Sequence, residues 1–175
     1  MKKLKNNKGF TLVELLAVIV VLAIVMGIAA VAITNVLDST RKNAYVATAK
    51  QFITGAKSLV NADEVEIMLG GTSKYTPKCV SGGEIKKIEL SNITTEGSNS
   101  DSTKDTDKSP YGTKLDKAKS YVNVKSVYGT NGTCTYEYSI FITDGIYSIG
   151  TEEAPLLETD LGSDDVKAQS GYKAS

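Results

Sequence analysis

The chain contains no histidine and no tryptophan among its 175 residues. Histidine is the commonest general base and metal ligand in proteins, so its absence argues against catalytic and metal-binding functions. Carboxylate or lysine chemistry stays open, but the sequence shows no catalytic constellation. The 20 basic residues balance the 20 acidic ones, which gives no indication of nucleic-acid binding. We therefore predict a protein that is not an enzyme, has no cofactor or metal, and does not contact nucleic acid.

Cysteine and proline are scarce as well. The two cysteines, Cys79 and Cys134, lie far beyond the amino-terminal apolar run, so nothing supports a lipoprotein anchor. They are compatible either with one disulfide in an oxidising compartment or with two buried thiols. No proline precedes Pro77, so none of the strongest helix breakers interrupts the first part of the chain.

What the chain does contain is a long apolar run close to its amino terminus. Four lysines precede Gly9, and a lone acid, Glu14, precedes nineteen uncharged residues from Leu15 to Ile33. A helix of that length spans about 28 Å, close to the hydrocarbon thickness of a bilayer. By the positive-inside rule, the lysines would stay in the cytoplasm while the rest of the chain is exported.

Two general interpretations account for part of this pattern. A secretory signal peptide needs a shorter apolar region, but Ala-x-Ala-like triplets between Ala29 and Ala32 keep a cleavage site open. A plain single-pass anchor explains the lysines and the length, with Glu14 tolerated near the membrane interface, where a charge costs less than at the bilayer centre. The anchor interpretation gives no role to Gly9 or Phe10.

A third interpretation uses all of these features together. The stretch KGFTLVELLAVIVVLAI resembles the class III signal of type IV pilins and pseudopilins in its lysine-rich leader, its glycine, its aromatic residue, the acid four residues later and the long apolar helix. The similarity covers the first quarter to third of the chain. It implies that a membrane-embedded prepilin peptidase cuts after Gly9 and that the new amino group of Phe10 is methylated.

Elementary electrostatics gives Glu14 a role in such a protein. In a bundle of apolar helices, the Phe10 ammonium and the Glu14 carboxylate are both buried charges, and neither is tolerated without a partner. Pairing Glu14 of one subunit with the Phe10 nitrogen of a neighbour satisfies both charges and fixes the axial register. We therefore predict that Glu14 is an assembly residue rather than a catalytic one.

The helical pattern continues beyond the apolar run. Apolar residues recur at steps of mainly three and four from Ile33 to Val60, which predicts an amphipathic helix that ends near Asn61 and docks on a globular head. Gly27 is either a weak point of the apolar half or a small residue for helix packing. The predicted division of the chain is a leader (1–9), a transmembrane or filament-core helix (10–33), a docked helix (34–61) and a head (62–175).

The first part of the head is predicted to be largely irregular. Gly70-Gly71 and Pro77 open a connecting region, and residues 85–93 are compatible with a short strand or a helical turn. The polar stretch from Gly97 to Gly112 is predicted to be a surface loop. Its aspartates, Asp101, Asp105 and Asp107, do not have the spacing of an EF-hand calcium loop.

The second part of the head carries strand signals. Segments rich in valine and tyrosine, with turns at Asn131-Gly132 and Asp144-Gly145, predict a three-stranded antiparallel meander over about 119–150 and an irregular polar tail after it. Many Gram-negative pilins close their carboxy-terminal region with a disulfide. This chain departs from that pattern because Cys134 lies within a predicted strand, so a Cys79–Cys134 bond is a hypothesis only.

These observations predict an α+β protein in which a long amino-terminal helix packs on a small antiparallel sheet, the lollipop of the pilins. The resemblance implies a type IV pilus subunit, with a composition typical of a Gram-positive bacterium. Such a subunit is a single-pass membrane protein first and part of an extracellular homopolymer later, serving adhesion, surface motility or biofilm formation. The implied partners are a prepilin peptidase/methyltransferase, an assembly platform and ATPases. Alternatives are a pseudopilin or minor pilin of a secretion or DNA-uptake system, and a membrane-anchored ligand-binding ectodomain.

Overall fold

A computed structural model describes residues 11–94 and 108–169 of the chain. Its longest element is the helix α1, Leu12–Met68, which has 57 residues. The chain divides into two compact units, Met1–Ser39 and Thr40–Ser175. Helix α1 contributes residues to both units, because no proline or helix-terminating glycine lies between Leu12 and Met68.

In the first unit, α1 is apolar on every side. It consists almost wholly of leucine, valine, isoleucine and alanine up to Ile33, with Gly27 as the single glycine. A Cβ atom added at Gly27 would meet nothing within 4 Å, so this glycine makes no close packing contact within the chain. This part of α1 is long and apolar enough to cross a membrane, by the criteria of length and composition.

In the second unit, α1 has one buried side. Its buried residues recur at steps of three and four, which places them on one stripe of the helix. They are Tyr45, Val46, Ala49, Phe52, Ile53, Ala56 and Val60. The amphipathic pattern in the sequence therefore marks the side of the helix that enters the head.

The carboxyl end of α1 lies at Met68, seven residues beyond the predicted end at Asn61. Apolar periodicity stops at Val60, but the following residues include good helix formers and no stop signal before Gly70. Gly70 has a φ of +91°. The N–H of Gly70 donates to the Ile67 carbonyl at 3.0 Å and that of Gly71 to the Glu66 carbonyl at 2.9 Å, which is a Schellman motif.

Within the described residues, the sheet of the second unit has six strands, and all of their pairings are antiparallel. The strands are β1 (Ile85–Glu89), β2 (Tyr121–Tyr128), β3 (Cys134–Thr143), β4 (Tyr147–Ile149), β5 (Leu156–Leu157) and β6 (Val166–Ala168). Their order is β1-β2-β3-β4-β6, with β5 also paired to β3. The predicted meander corresponds to β2, β3 and β4, and the predicted α+β class is confirmed.

Two regions differ from the sequence-based expectation. The segment 85–93 forms both a strand, β1, and a 3₁₀ turn, Leu90–Asn92, where we expected one or the other. The described part of the tail, residues 151–169, is not irregular, because it contains β5, β6 and two further 3₁₀ turns. Strands of two or three residues are too short to show an alternating pattern, and pairing with β3 and β4 is what orders them.

One hydrophobic core joins α1 to the sheet. The buried stripe of α1 clusters with Ile88 of β1, Val122 and Val124 of β2, and Ile140 and Ile142 of β3. Tyr136 and Tyr138 pack against this cluster while remaining partly exposed. The alternating face predicted for β3 is therefore the face that covers the helix.

Candidate functional site

The most unusual surface of the described chain lies on α1 before Ser39. Its large apolar side chains are 48–80% exposed, and they recur at most positions along the helix, so they cover all of its sides. They are Leu12, Val13, Leu15, Leu16, Val18, Ile19, Val20, Val21, Leu22, Ile24, Val25, Met26, Ile28, Ile33, Val36 and Leu37. We call this set the apolar helix surface. Because burying apolar area gains about 25 cal/mol per Å², such a surface favours a membrane or a packed partner over water.

The predicted assembly residue, Glu14, lies in the first turn of α1. Its Oε2 accepts hydrogen bonds from the Thr11 backbone N–H at 2.8 Å and the Thr11 hydroxyl at 3.0 Å. The Glu14 N–H lies 3.3 Å from the Thr11 hydroxyl oxygen. This reciprocal arrangement is a capping box, which satisfies amide groups that a helix start otherwise leaves unpaired. Within the described residues, both hydrogen bonds to the carboxylate end on Oε2.

Sequence reasoning missed Thr11, although its signal is present. A threonine followed three residues later by glutamate, ahead of an apolar run, is the pattern of a capping box. The predicted cleavage and methylation residues, Gly9 and Phe10, lie outside the described residues. The structure therefore brings Glu14 together with Thr11 and describes nothing about its pairing with Phe10.

The head carries a different kind of acid directly after the docked stripe. Asp63 is 4% exposed and accepts backbone N–H bonds from Lys74 at 2.9 Å, Tyr75 at 2.9 Å and Thr76 at 2.7 Å. Burial by itself would raise the pKa of Asp63, but these N–H groups outweigh it and hold the pKa well below its usual range. Asp63 thus ties the segment that follows α1 back onto the helix.

A disulfide anchors the same segment to the sheet. The structure joins Cys79 to Cys134 at the start of β3, with the two Cα atoms 5.9 Å apart. The residues between Gly71 and β1 are therefore held at one end by Asp63 and at the other by a covalent bond. This arrangement stabilises the head and supplies no reacting group.

Asp144 forms a second polar centre in the head. Its Oδ2 accepts the hydroxyls of Ser109 and Thr113, each at 2.5 Å, and its Oδ1 accepts the N–H groups of Ile146 at 2.9 Å and Tyr147 at 2.6 Å. Burial opposes ionisation, yet these donors, led by Ser109, lower the pKa of Asp144. The sequence predicted only a turn at Asp144-Gly145 and not this set of hydrogen bonds.

This contact corrects part of the predicted surface loop. Ser109 is 4% exposed, and Lys108 forms an isolated bridge with Lys114, so residues 108–112 are folded against the head. The burial of Ser109 follows from its hydrogen bond to Asp144, which comes from a distant part of the sequence. Residues 97–107 of that predicted loop, including Asp101, Asp105 and Asp107, lie outside the described residues.

The described residues show no grouping suited to metal chemistry. Over residues 11–94 and 108–169, no set of three or more histidine, cysteine, aspartate or glutamate side chains could hold a metal ion. The buried acids Asp63 and Asp144 are instead surrounded by hydrogen-bond donors. What the arrangement offers is a stable head and a large apolar helix surface.

Comparison with known protein families finds one match. Residues 4–30 match the model of the prokaryotic N-terminal methylation motif. This is the class III signal motif of type IV pilins, so the chain carries a prepilin-type amino terminus and is pilin-like or pseudopilin-like in that region. A search of curated proteins and a search of solved structures each found no match.

Proposed function

We propose that this chain is a structural subunit of a type IV pilus, which polymerises through the apolar helix surface into an extracellular filament. The observation that carries this proposal is the coincidence of the methylation motif at residues 4–30 with a helix that is apolar and exposed on all sides. A membrane anchor needs the apolar surface but not the motif. A polymerising subunit uses both.

The proposed maturation converts an anchor into an assembly element. A prepilin peptidase cuts after Gly9, which removes four lysines and leaves Phe10 as the new, methylated amino terminus. The helix then loses its cytoplasmic charges and can leave the bilayer more easily. The assembly platform and its ATPases supply the force that transfers the subunit into the filament.

The Thr11–Glu14 capping box supports the proposed pairing. The box holds the Glu14 carboxylate at the amino end of α1, beside Thr11, which directly follows Phe10 in the chain. Both described hydrogen bonds end on Oε2, and we propose that Oε1 accepts the Phe10 ammonium of a neighbouring subunit. Such a pair neutralises two charges that the filament core would otherwise bury unpaired.

The test is the state of the protein at the cell surface. Sheared surface filaments should label densely for this chain, and mass spectrometry of the labelled protein should find Phe10 as a methylated amino terminus. Met1 retained on surface protein would contradict the proposal. Sparse or tip-restricted labelling would favour a minor pilin or pseudopilin. Correct cleavage without any filament would favour the membrane-anchored ectodomain.

A second test addresses Glu14 itself. Glu14→Ala should leave cleavage largely intact and strongly reduce filament assembly, because the Phe10 ammonium then lacks its partner. Asp164→Ala, which removes an exposed acid from the head, is the matched control and should assemble normally. Normal filaments from Glu14→Ala would refute the pairing.

A further inference from the structure

The charges of the head are segregated along the chain. Residues 151–169 contain six acidic residues and a single basic one, Lys167. One of these acids, Glu158, forms an ion pair with Lys57 of α1 at 2.6 Å. Asp165 accepts the Gly162 N–H at 2.9 Å and so serves the local backbone. Glu152, Glu153, Asp160 and Asp164 are exposed.

Two of the exposed acids lie at the tip of a well-held turn, Thr151–Ala154, which we call the acidic turn. The Thr151 N–H donates to the Ala154 carbonyl and the Ala154 N–H to the Thr151 hydroxyl, both at 3.0 Å. The Tyr121 hydroxyl donates to the Glu152 carbonyl at 2.5 Å. The turn is thus fixed before any partner binds, and its two neighbouring carboxylates face solvent without a large ordering cost.

A groove of about 450 Å³ lies on the exposed side of α1 in the head. We call it the α1 groove; it is lined by Ala47, Lys50, Gln51, Thr54, Gly55, Ser58 and Thr94. A Cβ atom at Gly55 would lie 2.4 Å from Ile93 Cγ2, so only glycine lets the Ile93-Thr94 segment approach closely enough to form one wall.

Among the described residues, the α1 groove is lined by one cation, Lys50, and by hydroxyl groups that already form hydrogen bonds. The Thr54 hydroxyl donates to the Lys50 carbonyl at 2.9 Å, and the Ser58 hydroxyl donates to the Thr54 carbonyl at 3.1 Å. The floor therefore consists of small side chains whose hydroxyls are already used. The Lys50 ammonium and the Gln51 amide remain as the groups that suit a carboxylate.

The Lys57–Glu158 pair shows that this side of α1 already binds the acidic segment within one chain. Lys50 lies seven residues, or about two turns, before Lys57, which places it on nearly the same side of the helix. The acidic turn and the α1 groove are also different surfaces of the same chain. Contacts between two different surfaces of identical subunits are heterologous, and they propagate into open helical polymers when they do not close a ring.

We propose that the acidic turn of one subunit docks in the α1 groove of a second copy, with Glu152 and Glu153 facing Lys50. This inference rests on the proposed filament function and identifies the contact between heads. The helix core supplies adhesion between subunits, and the charged contact fixes how neighbouring heads are oriented. Because such a pair is near the surface, the contact weakens as salt screens it.

Cysteine cross-linking tests the contact directly. In full-length protein expressed in the source cell, Lys50→Cys combined with Glu153→Cys should give a ladder of disulfide-linked multimers when sheared filaments are oxidised. The control pair, Glu89→Cys with Glu153→Cys, should give none. If the wild type forms filaments but the Lys50–Glu153 pair forms no ladder, or only an intramolecular product, the contact is wrong and the filament function stands.

Exchanging the charges of the two surfaces gives a second test. It remains informative when the single variants assemble poorly, because the combined variant is expected to recover. Lys50→Glu, or Glu152→Lys with Glu153→Lys, should each reduce filament yield about tenfold, because like charges then face each other. Combining all three changes should restore the yield. Glu89→Lys with Asp164→Lys, which alters the net charge as much as the double glutamate change does, should leave the filament yield unchanged. Failure of the combined variant to recover would overturn the contact, and absence of wild-type filaments would overturn the proposed function as well.

Discussion

The two parts of α1 differ in where their apolar side chains go, although both belong to one continuous helix. Before Ser39, large apolar side chains cover every side and remain 48–80% exposed. Between Tyr45 and Val60, they form one stripe whose members, such as Ile53 and Val60, are buried under the sheet. The difference teaches that the second part is stabilised by its own chain, whereas the first part needs a membrane or other subunits.

The acids of the two units differ in the same way. Asp63 and Asp144 are buried and each accepts hydrogen bonds from at least four donors of the head, so their charges are committed to the fold. Glu14 is exposed, and within the described residues its carboxylate accepts hydrogen bonds from Thr11, which lies three residues before it. Because these hydrogen bonds lie within one helical turn, the Glu14 carboxylate can bind a new partner on assembly without disrupting the fold of the head.

The largest expected effect comes from one substitution made in both parts. Ile53→Ala should lower the free energy of unfolding of the head by about 2–5 kcal/mol, because it leaves a cavity in the core. Ile19→Ala should leave that free energy unchanged, because Ile19 is 55% exposed. Urea unfolding of the full-length protein in detergent, followed by tyrosine fluorescence, compares the two variants.

Filament yield should rank these two variants in the opposite order to stability, with Ile19→Ala the more affected. Among molecules that fold, Ile19→Ala should reduce assembly, since Ile19 belongs to the apolar helix surface. Equal unfolding curves for Ile53→Ala and the wild type would contradict the proposed difference between the two parts of α1. A destabilised head in Ile19→Ala would contradict it as well.

A smaller effect is expected from the disulfide, which is confined to the second unit. Replacing both cysteines, Cys79→Ala with Cys134→Ala, should cost the head about 2–4 kcal/mol, because the bond closes a long loop in the unfolded chain. Thiol counting by mass spectrometry with and without reduction establishes the bond first. Two free thiols in the folded, exported protein would contradict the structure, and an unchanged unfolding midpoint would contradict its stabilising role.

The smallest expected effect concerns pH. The folded-state pKa of Asp63 lies below that of an unfolded aspartate, about 3.9, so the carboxylate stabilises the head fully above that pH. The stabilisation is lost as the pH falls below 4 towards the folded-state pKa. Asp63→Asn should therefore cost about 1–3 kcal/mol at pH 7 and progressively less below pH 4. A cost for Asp63→Asn that is the same at pH 7 and pH 3 would contradict this account.

Much of the architecture could be predicted from sequence because it rests on periodic patterns. The absence of proline before Pro77 and the steps of three and four up to Val60 gave the long helix and its buried side. Alternation around Asn131-Gly132 gave the meander, because burial on one face of β3 requires that spacing. Short-range chemistry was also readable, although the Thr11–Glu14 capping box was overlooked.

What could not be predicted depends on contacts between distant residues. No local sequence pattern predicts that Asp63 binds the N–H groups of residues 74–76. Nor does one predict that Ser109 is buried against Asp144. Both contacts form only after distant parts of the chain have come together. β5 and β6 are ordered by the neighbouring strands rather than by their own two or three residues. Pairing of Cys79 with Cys134 likewise depends on the fold that brings β3 beside the segment after α1.

A cryo-electron microscopy reconstruction of sheared wild-type filaments tests the central claim most directly, namely that the apolar helix surface is an interface between subunits. The account predicts a core of packed α1 helices that buries the side chains between Leu12 and Leu37, with each Glu14 carboxylate in ion-pair contact with the Phe10 nitrogen of a neighbour. A filament held by its heads alone, with this part of α1 surrounded by lipid or solvent, would contradict it.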